Sequence, residues 1–257
     1  MSTATSTSTI TITNLIWSFD RTTNHVKLLL LSRDQAPFKG YWALPETTMR
    51  ADESADAAAL RLVREKIGLA LDSLHTEQLA TFTQPHRTPG QRHVALAYMT
   101  FLPEMPPLTP GYGARAAQWF EFRDQSAAYQ VHHGTATFTT PTVPAATYYA
   151  TLATHMTAPT THLAFDHAWM IAVASQRIRN KLDYQPNILL TLGTAFTLRE
   201  ARTVFATFLR CPLSALDNSN FKKNHRHLFT AVGTTAAKRA GRPATLYRLN
   251  YLPLTNA

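Results

Sequence analysis

The sequence has almost no cysteine and no long apolar run, and both absences narrow what the protein can be. Its one cysteine, Cys211, excludes an internal disulfide framework and a cysteine-rich zinc site. No apolar run approaches the roughly 18 residues that span a bilayer. The first ten residues, MSTATSTSTI, have neither the basic nor the apolar region of a secretory signal. We therefore expect a cytoplasmic protein with no membrane partner.

Acidic residues are scarce in the last third of the chain, and this scarcity accounts for the net charge of +9. Residues 1–176 hold 12 Lys and Arg against 13 Asp and Glu, whereas residues 177–257 hold 13 against 3. A cationic module joined to a nearly neutral one favours a polyanionic partner for the module alone. A basic surface that is merely solvated is the alternative.

Hydrophobic patterns predict an α+β fold for the first part of the chain. Apolar segments that are typical of strands cover 10–19, 26–32, 93–102 and 118–122. A helix is expected over 54–67, with Ser54 as its N-cap and Gly68 just beyond its end. Strands interleaved with a helix in this way indicate a sandwich of helices on a sheet.

The chain is expected to divide into three parts. In chain order these are a disordered tail over 1–9, a first domain over 10–155, and a second unit over 156–257 that begins with a linker helix. The linker helix is predicted over 166–182, with Asp166 as its candidate cap. The Thr- and Pro-rich stretch before it could hold another helix, over 141–156.

The second unit has the outline of a winged helix-turn-helix. Thr197 and Glu200 have the spacing of a capping box, at the start of a helix that runs to residue 209. A second short helix, rich in basic residues, is predicted over 219–232, and 238–251 has the pattern of a β-hairpin with a basic tip. Two helices and a basic hairpin in this order are typical of DNA-binding winged helices.

The stretch TTMRADESADAAALRLVREKIGL, residues 47–69, resembles the Nudix box, G-x5-E-x7-R-E-U-x-E-E-x-G-U, in which U is apolar. The spacing is retained throughout. Glu53, Arg61 and Glu65 match the motif, and Gly68 and Leu69 close it. In Nudix enzymes the clustered glutamates hold divalent cations against a pyrophosphate.

Three residues depart from that box. Thr47 stands where it opens with glycine, and Leu62 and Lys66 stand where it has glutamates. Because an ammonium repels a cation as well as removing an oxygen ligand, we expect no metal site, no catalytic residue and no metal-dependent hydrolysis. The alternative interpretation of Arg61 and Glu65 is an ordinary i,i+4 helix pair.

Two loops beside the box, 37–45 and 81–98, resemble segments of Nudix proteins that act on ADP-ribose. The resemblance implies a site for ADP-ribose or a related nucleotide, with arginines as cations for its diphosphate. Trp17 or Trp42 would stack the adenine, although both could instead be core residues. The effector contacts that we expect are Lys39, Trp42, Glu53, Arg87 and Arg92.

Segments of the second half are similar, in order, to the Nudix-related transcriptional regulators of NAD metabolism, the NrtR family. They include LAFDHAWMIAVASQRIRNKLDYQP at 163–186, NFKKN at 220–224 and GRPATLYRL at 241–249. The resemblance implies a homodimeric repressor that binds a palindromic double-stranded DNA operator and senses ADP-ribose through a non-catalytic Nudix domain, with no cofactor required. The DNA contacts that we expect are Thr197, Arg199, Asn220, Lys222, Lys223, Arg226, Lys238, Arg239 and Arg242.

Three other functions stay open. A Nudix hydrolase of ADP-ribose-type nucleoside diphosphates would need metal ligands from outside the box, for which Glu46, Glu77 and Glu121 are the candidates. A regulator of another pathway could bind a diverged effector, since the sequence ETT at 46–48 alters the pocket. The basic module could also bind RNA or phosphorylated partners without sequence specificity.

Overall fold

The computed structural model describes residues 7–69, 71, 76–111, 113–125, 128–143, 162–235 and 243–250. Its strands are β1 Thr9–Asp20, β2 His25–Arg33, β3 Trp42–Ala43, β4 Glu46–Thr48, β5 Thr76–Phe82, β6 His93–Phe101, β7 Ala114–Gln125, β8 Ala128–His133, β9 Ala136–Thr139, β10 Phe196–Thr197, β11 Phe229–Thr234 and β12 Thr245–Leu249. Its helices are α1 Ala55–Ile67, α2 His167–Lys181, α3 Leu198–Leu209 and α4 Asn218–Asn224, with short 3-10 helices at Asn187–Leu192 and Leu213–Ala215.

The larger sheet is mixed and has the order β5-β6-β1-β2-β7-β8-β9, with β3 paired to β2 and β4 paired to β1. Strand β1 runs parallel to β6 and antiparallel to β2. Nine consecutive residues of β1, 11–19, are buried because both faces of the sheet are covered. Ile16 packs with Val63 of α1, whereas Trp17 shares a hydrophobic cluster with α2 and α3. The predicted sandwich of helices around a mixed sheet is confirmed.

Local capping signals set the ends of α1 as predicted. The Ser54 hydroxyl accepts a hydrogen bond from the Ala57 amide at 3.1 Å. Gly68 ends the helix in the left-handed region, at φ 78°, where a side chain would be strained. The two caps fix where the Nudix-like helix begins and ends, and so they position its Arg and Lys side chains.

The second unit contains a three-stranded sheet, β10-β12-β11, packed with α3 and α4. The capping box of Thr197 and Glu200 is confirmed. The predicted helix over 219–232 is wrong beyond residue 224, since β11 follows there. Phe229 pairs with Leu249 of β12, and this long-range pairing overrides the apolar spacing that favoured a continued helix.

The predicted cap of α2 is also wrong. Asp166 precedes the helix, but its side chain makes no capping hydrogen bond. Both of its carboxylate oxygens accept bonds from Arg87, at 3.0 and 2.7 Å. An arginine gives a carboxylate two charged donors, and these hold it away from the helix amides.

The two halves of the molecule share one continuous hydrophobic cluster. Phe208 of α3 is fully buried against Trp17 and Phe122, with ring centroids at 5.8 and 5.4 Å. The Tyr129 hydroxyl of β8 donates to the Phe208 carbonyl at 2.8 Å. A movement of the larger sheet would therefore reach α3 directly.

The turn between β1 and β2 also holds the second unit. Arg21 donates from Nε to Glu200 at 2.7 Å and from Nη2 to the carbonyl of Leu192 at 2.5 Å. Arg21 thus binds both the first turn of α3 and the end of the 3-10 helix Asn187–Leu192.

Several predictions fall outside the described residues. They are most of the tail, the helix over 141–156 from residue 144 onward, the boundary at residue 155, and the tip of the basic hairpin over 236–242. Thr9, predicted to lie in the tail, already belongs to β1. No helix among the described residues is long and apolar enough to cross a membrane.

Candidate functional site

A cleft of about 250 Å³ opens where the sheet meets α1. Strands β2, β3 and β4 contribute residues to its lining, and α1 contributes Lys66. The lining residues are Leu31, Arg33, Gln35, Ala43, Leu44, Glu46, Thr47, Thr48, Lys66 and Gly113. Three of them, at positions 47, 48 and 66, belong to the segment that resembles the Nudix box.

Arg61 neutralises the two glutamates that remain at the acidic positions of the Nudix box. Its Nε and Nη2 donate to the two oxygens of Glu53, at 2.8 and 2.7 Å. Its Nη1 donates to Glu65 at 2.9 Å. Hydrogen bonding to Arg61 lowers the pKa of Glu53 from its usual 4.5 to about 2. Because Arg61 is only 6% exposed and also donates to the lining residue Thr47, this network is fixed beside the cleft and exceeds a simple i,i+4 pair.

Lys66 adds a cation to the cleft where the Nudix box has a glutamate. The residue is 8% exposed. Burial lowers the pKa of its ammonium, and the carboxylates of Glu65 and Asp34 oppose that shift. Arg33 lines the same cleft, so two cationic side chains face the single carboxylate of Glu46.

Glu46 lies next to a buried histidine, His167, and no sequence motif predicted that the two would be close. His167 is 0% exposed, and its Nδ1 accepts a hydrogen bond from the Leu44 amide at 2.9 Å. Its proton therefore sits on Nε2, which lies 3.8 Å from Glu46 Oε2 and has no hydrogen-bond partner. Burial raises the pKa of Glu46, but nearby His167, Arg87 and Arg33 outweigh it and lower the pKa overall.

Two aromatic side chains lie beside the lining residue Arg33. The Arg33 guanidinium lies 4.7 Å from the ring centroid of Phe165, and Phe38 packs against the same ring at 4.8 Å. Both phenylalanines have positive φ, 65° and 56°, a backbone region that is costly for bulky residues. Such strain concentrates at functional sites.

None of the five predicted effector contacts lines this cleft. Lys39 is exposed on the preceding loop. Trp42 is half-buried and packs edge-on against Phe120 at 4.9 Å, whereas Trp17 is a core residue. Glu53 is held by Arg61, as described above.

The two predicted arginines are directed elsewhere. Arg87 has a side chain that is 1% exposed and is ion-paired to Asp166, so its guanidinium does not face solvent. Arg92 donates to the Thr83 carbonyl at 3.2 Å. Sequence reasoning missed the partner of Arg87 because it lies 79 residues away. It also set aside Glu46, which no local motif marked.

Helix α4 presents the predicted DNA-contacting side chains. Phe221 is buried beneath it, 4.9 Å from Phe205 of α3. Arg202 braces the turn between the two helices through the carbonyl of Leu213 at 3.3 Å. The exposed side chains on and just after α4 include Asn220, Lys222, Lys223 and Arg226.

Around α4, the remaining predicted contacts differ in their positions. Arg199 is exposed in the first turn of α3, whereas the hydroxyl of Thr197 is used in the capping box. Arg248 of β12 is exposed as well and was not predicted; its outward position follows from strand alternation with buried neighbours. Three predicted contacts lie outside the described residues, namely Lys238, Arg239 and Arg242.

The described residues contain no group of three His, Cys, Asp or Glu side chains that could hold a metal ion. His132 contacts Thr137 at 2.9 Å, and His225 contacts Asp183 at 3.2 Å.

Comparisons with known proteins match both halves of the chain. Residues 13–139 match the NUDIX domain, and residues 189–249 match the NrtR DNA-binding winged helix domain. A curated relative, the ADPR responsive transcriptional repressor NtrR of Acinetobacter baylyi, is 26% identical over 242 residues, which are 93% of this chain and 81% of the relative.

Solved structures agree on the fold. A MutT/nudix family protein from Enterococcus faecalis superposes with a TM-score of 0.81 at 29% identity, over 97% of this chain and 89% of that one. Shewanella oneidensis NrtR, in a complex with a 27mer DNA, superposes with a TM-score of 0.63 at 23% identity, over 93% of each chain.

Proposed function

This chain joins a Nudix domain to an NrtR-type DNA-binding winged helix, and we propose that it is a transcriptional regulator of NAD metabolism, a repressor, that responds to ADP-ribose or a closely related nucleotide. It acts as a homodimer on a palindromic operator, in the cytoplasm where the DNA is. No cofactor is required. The domain boundary is proposed near residues 155–165, between β9 and α2.

The observation that carries this proposal is the exposed face of α4. Its Asn220 offers an amide for the edge of a base, while Lys222, Lys223 and Arg226 offer cations for phosphates or guanine. A buried phenylalanine beneath the helix keeps this face outward. A dimer would have to space two such helices by about 34 Å, one turn of B-DNA, or a multiple of it.

The effector site is the cleft beside the Nudix-type helix. Arg33 and Lys66 attract a diphosphate, and Glu46 can accept a hydrogen bond from a ribose hydroxyl. Phe165 offers an aromatic surface for a base. Lys39, exposed on the neighbouring loop, is a further contact. A response to ADP-ribose is in the name of the Acinetobacter baylyi relative.

The Nudix domain of this chain binds without hydrolysing. Glu53 and Glu65 are held by Arg61, and two other glutamate positions of the box carry Leu62 and Lys66. To test this, the protein is incubated with ADP-ribose and Mg²⁺ or Mn²⁺, and AMP is measured. We expect none above the protein-free control; clean turnover would overturn the non-catalytic assignment.

A continuous path joins the cleft to the DNA-binding helices. His167, which faces Glu46, is the first residue of α2, and α2 packs against α3 in the shared hydrophobic cluster. The ligand must bind the two states of the protein unequally for this path to carry a signal. Displacement of α2 would then alter the spacing of the two recognition helices.

Specific DNA binding is tested with labelled DNA from the protein's own promoter region and a scrambled control of equal length. We expect preferential binding to the promoter DNA and a steep fall of affinity with salt. Equal affinity for both sequences would favour a generic polyanion binder.

A further inference from the structure

The Nudix cleft of this protein does not fit the divalent cation that Nudix enzymes use. Mg²⁺ needs several oxygen ligands in near-octahedral geometry. Both oxygens of Glu53 accept bonds from Arg61. Glu65 is shared between Arg61 at 2.9 Å and Arg50 at 3.3 Å. The two carboxylates that the box keeps are thus already neutralised by guanidinium groups.

Positive charge inside the cleft comes from side chains instead. Lys66 and Arg33 line it, and Glu46 is the one acidic residue among its lining residues. These three give the lining a formal charge of +1. Lys66 is buried at the end of α1, in the helical position where the box supplies a metal-binding glutamate.

The size of the cleft suits a diphosphate. Its volume of about 250 Å³ is below the ~300–1,000 Å³ of pockets that enclose drug-sized ligands. The cleft can therefore hold the charged centre of a dinucleotide-like molecule, while the aromatic pair of Phe38 and Phe165 lies at its side. Hydroxyls of Thr47 and Thr48 add hydrogen-bond donors beside the cations.

We propose that Lys66 and Arg33 take the place of the metal ion, so that this cleft binds the diphosphate of its effector without a divalent cation. The inference rests on the proposed function and names the chemistry of the same site. Protein cations need no metal to neutralise a diphosphate, and they present no activated water to it.

The first test is calorimetric titration of the full-length protein with ADP-ribose, in EDTA and in Mg²⁺. The expected dissociation constants agree within about twofold. Binding in Mg²⁺ alone would overturn the metal-free site and leave the effector intact. Failure to bind ADP-ribose in either buffer would overturn the proposed effector and this inference together.

The second test uses variants on the same helix. Lys66→Met should weaken ADP-ribose binding in EDTA about 10- to 100-fold, as expected for loss of a charged hydrogen bond. Arg64→Met, at an exposed position of α1, is the matched control and should bind like the parent. Thermal melts confirm that both variants fold. Equal affinities of both variants would contradict a role for Lys66.

A third variant restores the glutamate that the Nudix box has at position 66. Lys66→Glu returns an oxygen ligand to the box, so ADP-ribose binding in EDTA should fall at least as far as in Lys66→Met. Addition of Mn²⁺ should then recover part of the affinity in this variant, while the parent protein does not respond to Mn²⁺. A parent protein that gains affinity from Mn²⁺ would refute the replacement of metal by side chains.

Discussion

The buried ion pair of Arg87 and Asp166 gives the sharpest test of how the larger sheet is held to α2. The two side chains are 1% and 4% exposed and make two hydrogen bonds, at 3.0 and 2.7 Å. They join the turn after β5 to the residue before α2. Replacement Arg87→Met keeps most of the aliphatic volume and removes the charge.

The expected loss of stability follows from the burial of the pair. Arg87→Met leaves the Asp166 carboxylate inside the protein without its cation, a change that costs about 3–5 kcal/mol when a buried pair is broken. The double variant Arg87→Met/Asp166→Leu removes both charges and should lose much less. The difference between the single and double variants measures the coupling.

Urea unfolding with linear extrapolation gives the free energies of unfolding. Arg92→Met is the matched control, because Arg92 is only partly buried and donates to a single carbonyl; its loss should stay below about 1 kcal/mol. A similarly small loss for Arg87→Met, together with weaker ADP-ribose binding, would refute the structural role. That result would instead support the role predicted for Arg87 from the sequence, a contact with the effector.

Three further predictions concern charge. Arg61 holds the pKa of Glu53 near 2 instead of 4.5, so Glu53 adds stability that is present above pH 4.5 and lost as the pH falls towards 2. Glu53→Gln should therefore weaken the pH dependence of the free energy of unfolding in urea between these pH values. An unchanged pH dependence would contradict the ion pair of Glu53 with Arg61. The double variant Lys222→Ala/Lys223→Ala should lower the slope of log affinity against log salt by about 2 in fluorescence anisotropy; an equal slope would mean that neither lysine meets a phosphate. Arg21 joins the turn after β1 to the start of α3, so Arg21→Ala should reduce the ratio of DNA affinities with and without ADP-ribose and leave the affinity of the DNA-free protein for ADP-ribose unchanged. An intact ratio would show that this contact does not couple the two sites.

Local signals in the sequence were enough to place the elements that begin and end on short motifs. Ser54 and Gly68 set the ends of α1, and Thr197 with Glu200 set the start of α3. Each of these signals acts within a few residues. The order of these elements along the chain was enough to predict the mixed sandwich and the winged helix.

Contacts between distant residues could not be predicted in the same way. Asp166 looked like a cap because it precedes a helix, but a buried arginine 79 residues earlier binds its carboxylate. His167 meets the Leu44 amide across 123 residues and so comes to face Glu46. Strand β11 needed β12 as a partner. The cleft likewise combines residues of β2, β3, β4 and α1 with Gly113, and therefore its lining was largely missed while its loop and helix were found.

The most direct measurement of the central claim is the affinity of the full-length protein for promoter DNA, with and without saturating ADP-ribose, both in EDTA. We expect the DNA affinity to change by at least about fivefold, the lower end of typical coupling between sites. Linkage requires that DNA change the affinity for ADP-ribose by the same factor. Identical DNA affinities in the two samples, with ADP-ribose shown to be bound, would contradict a repressor that responds to ADP-ribose.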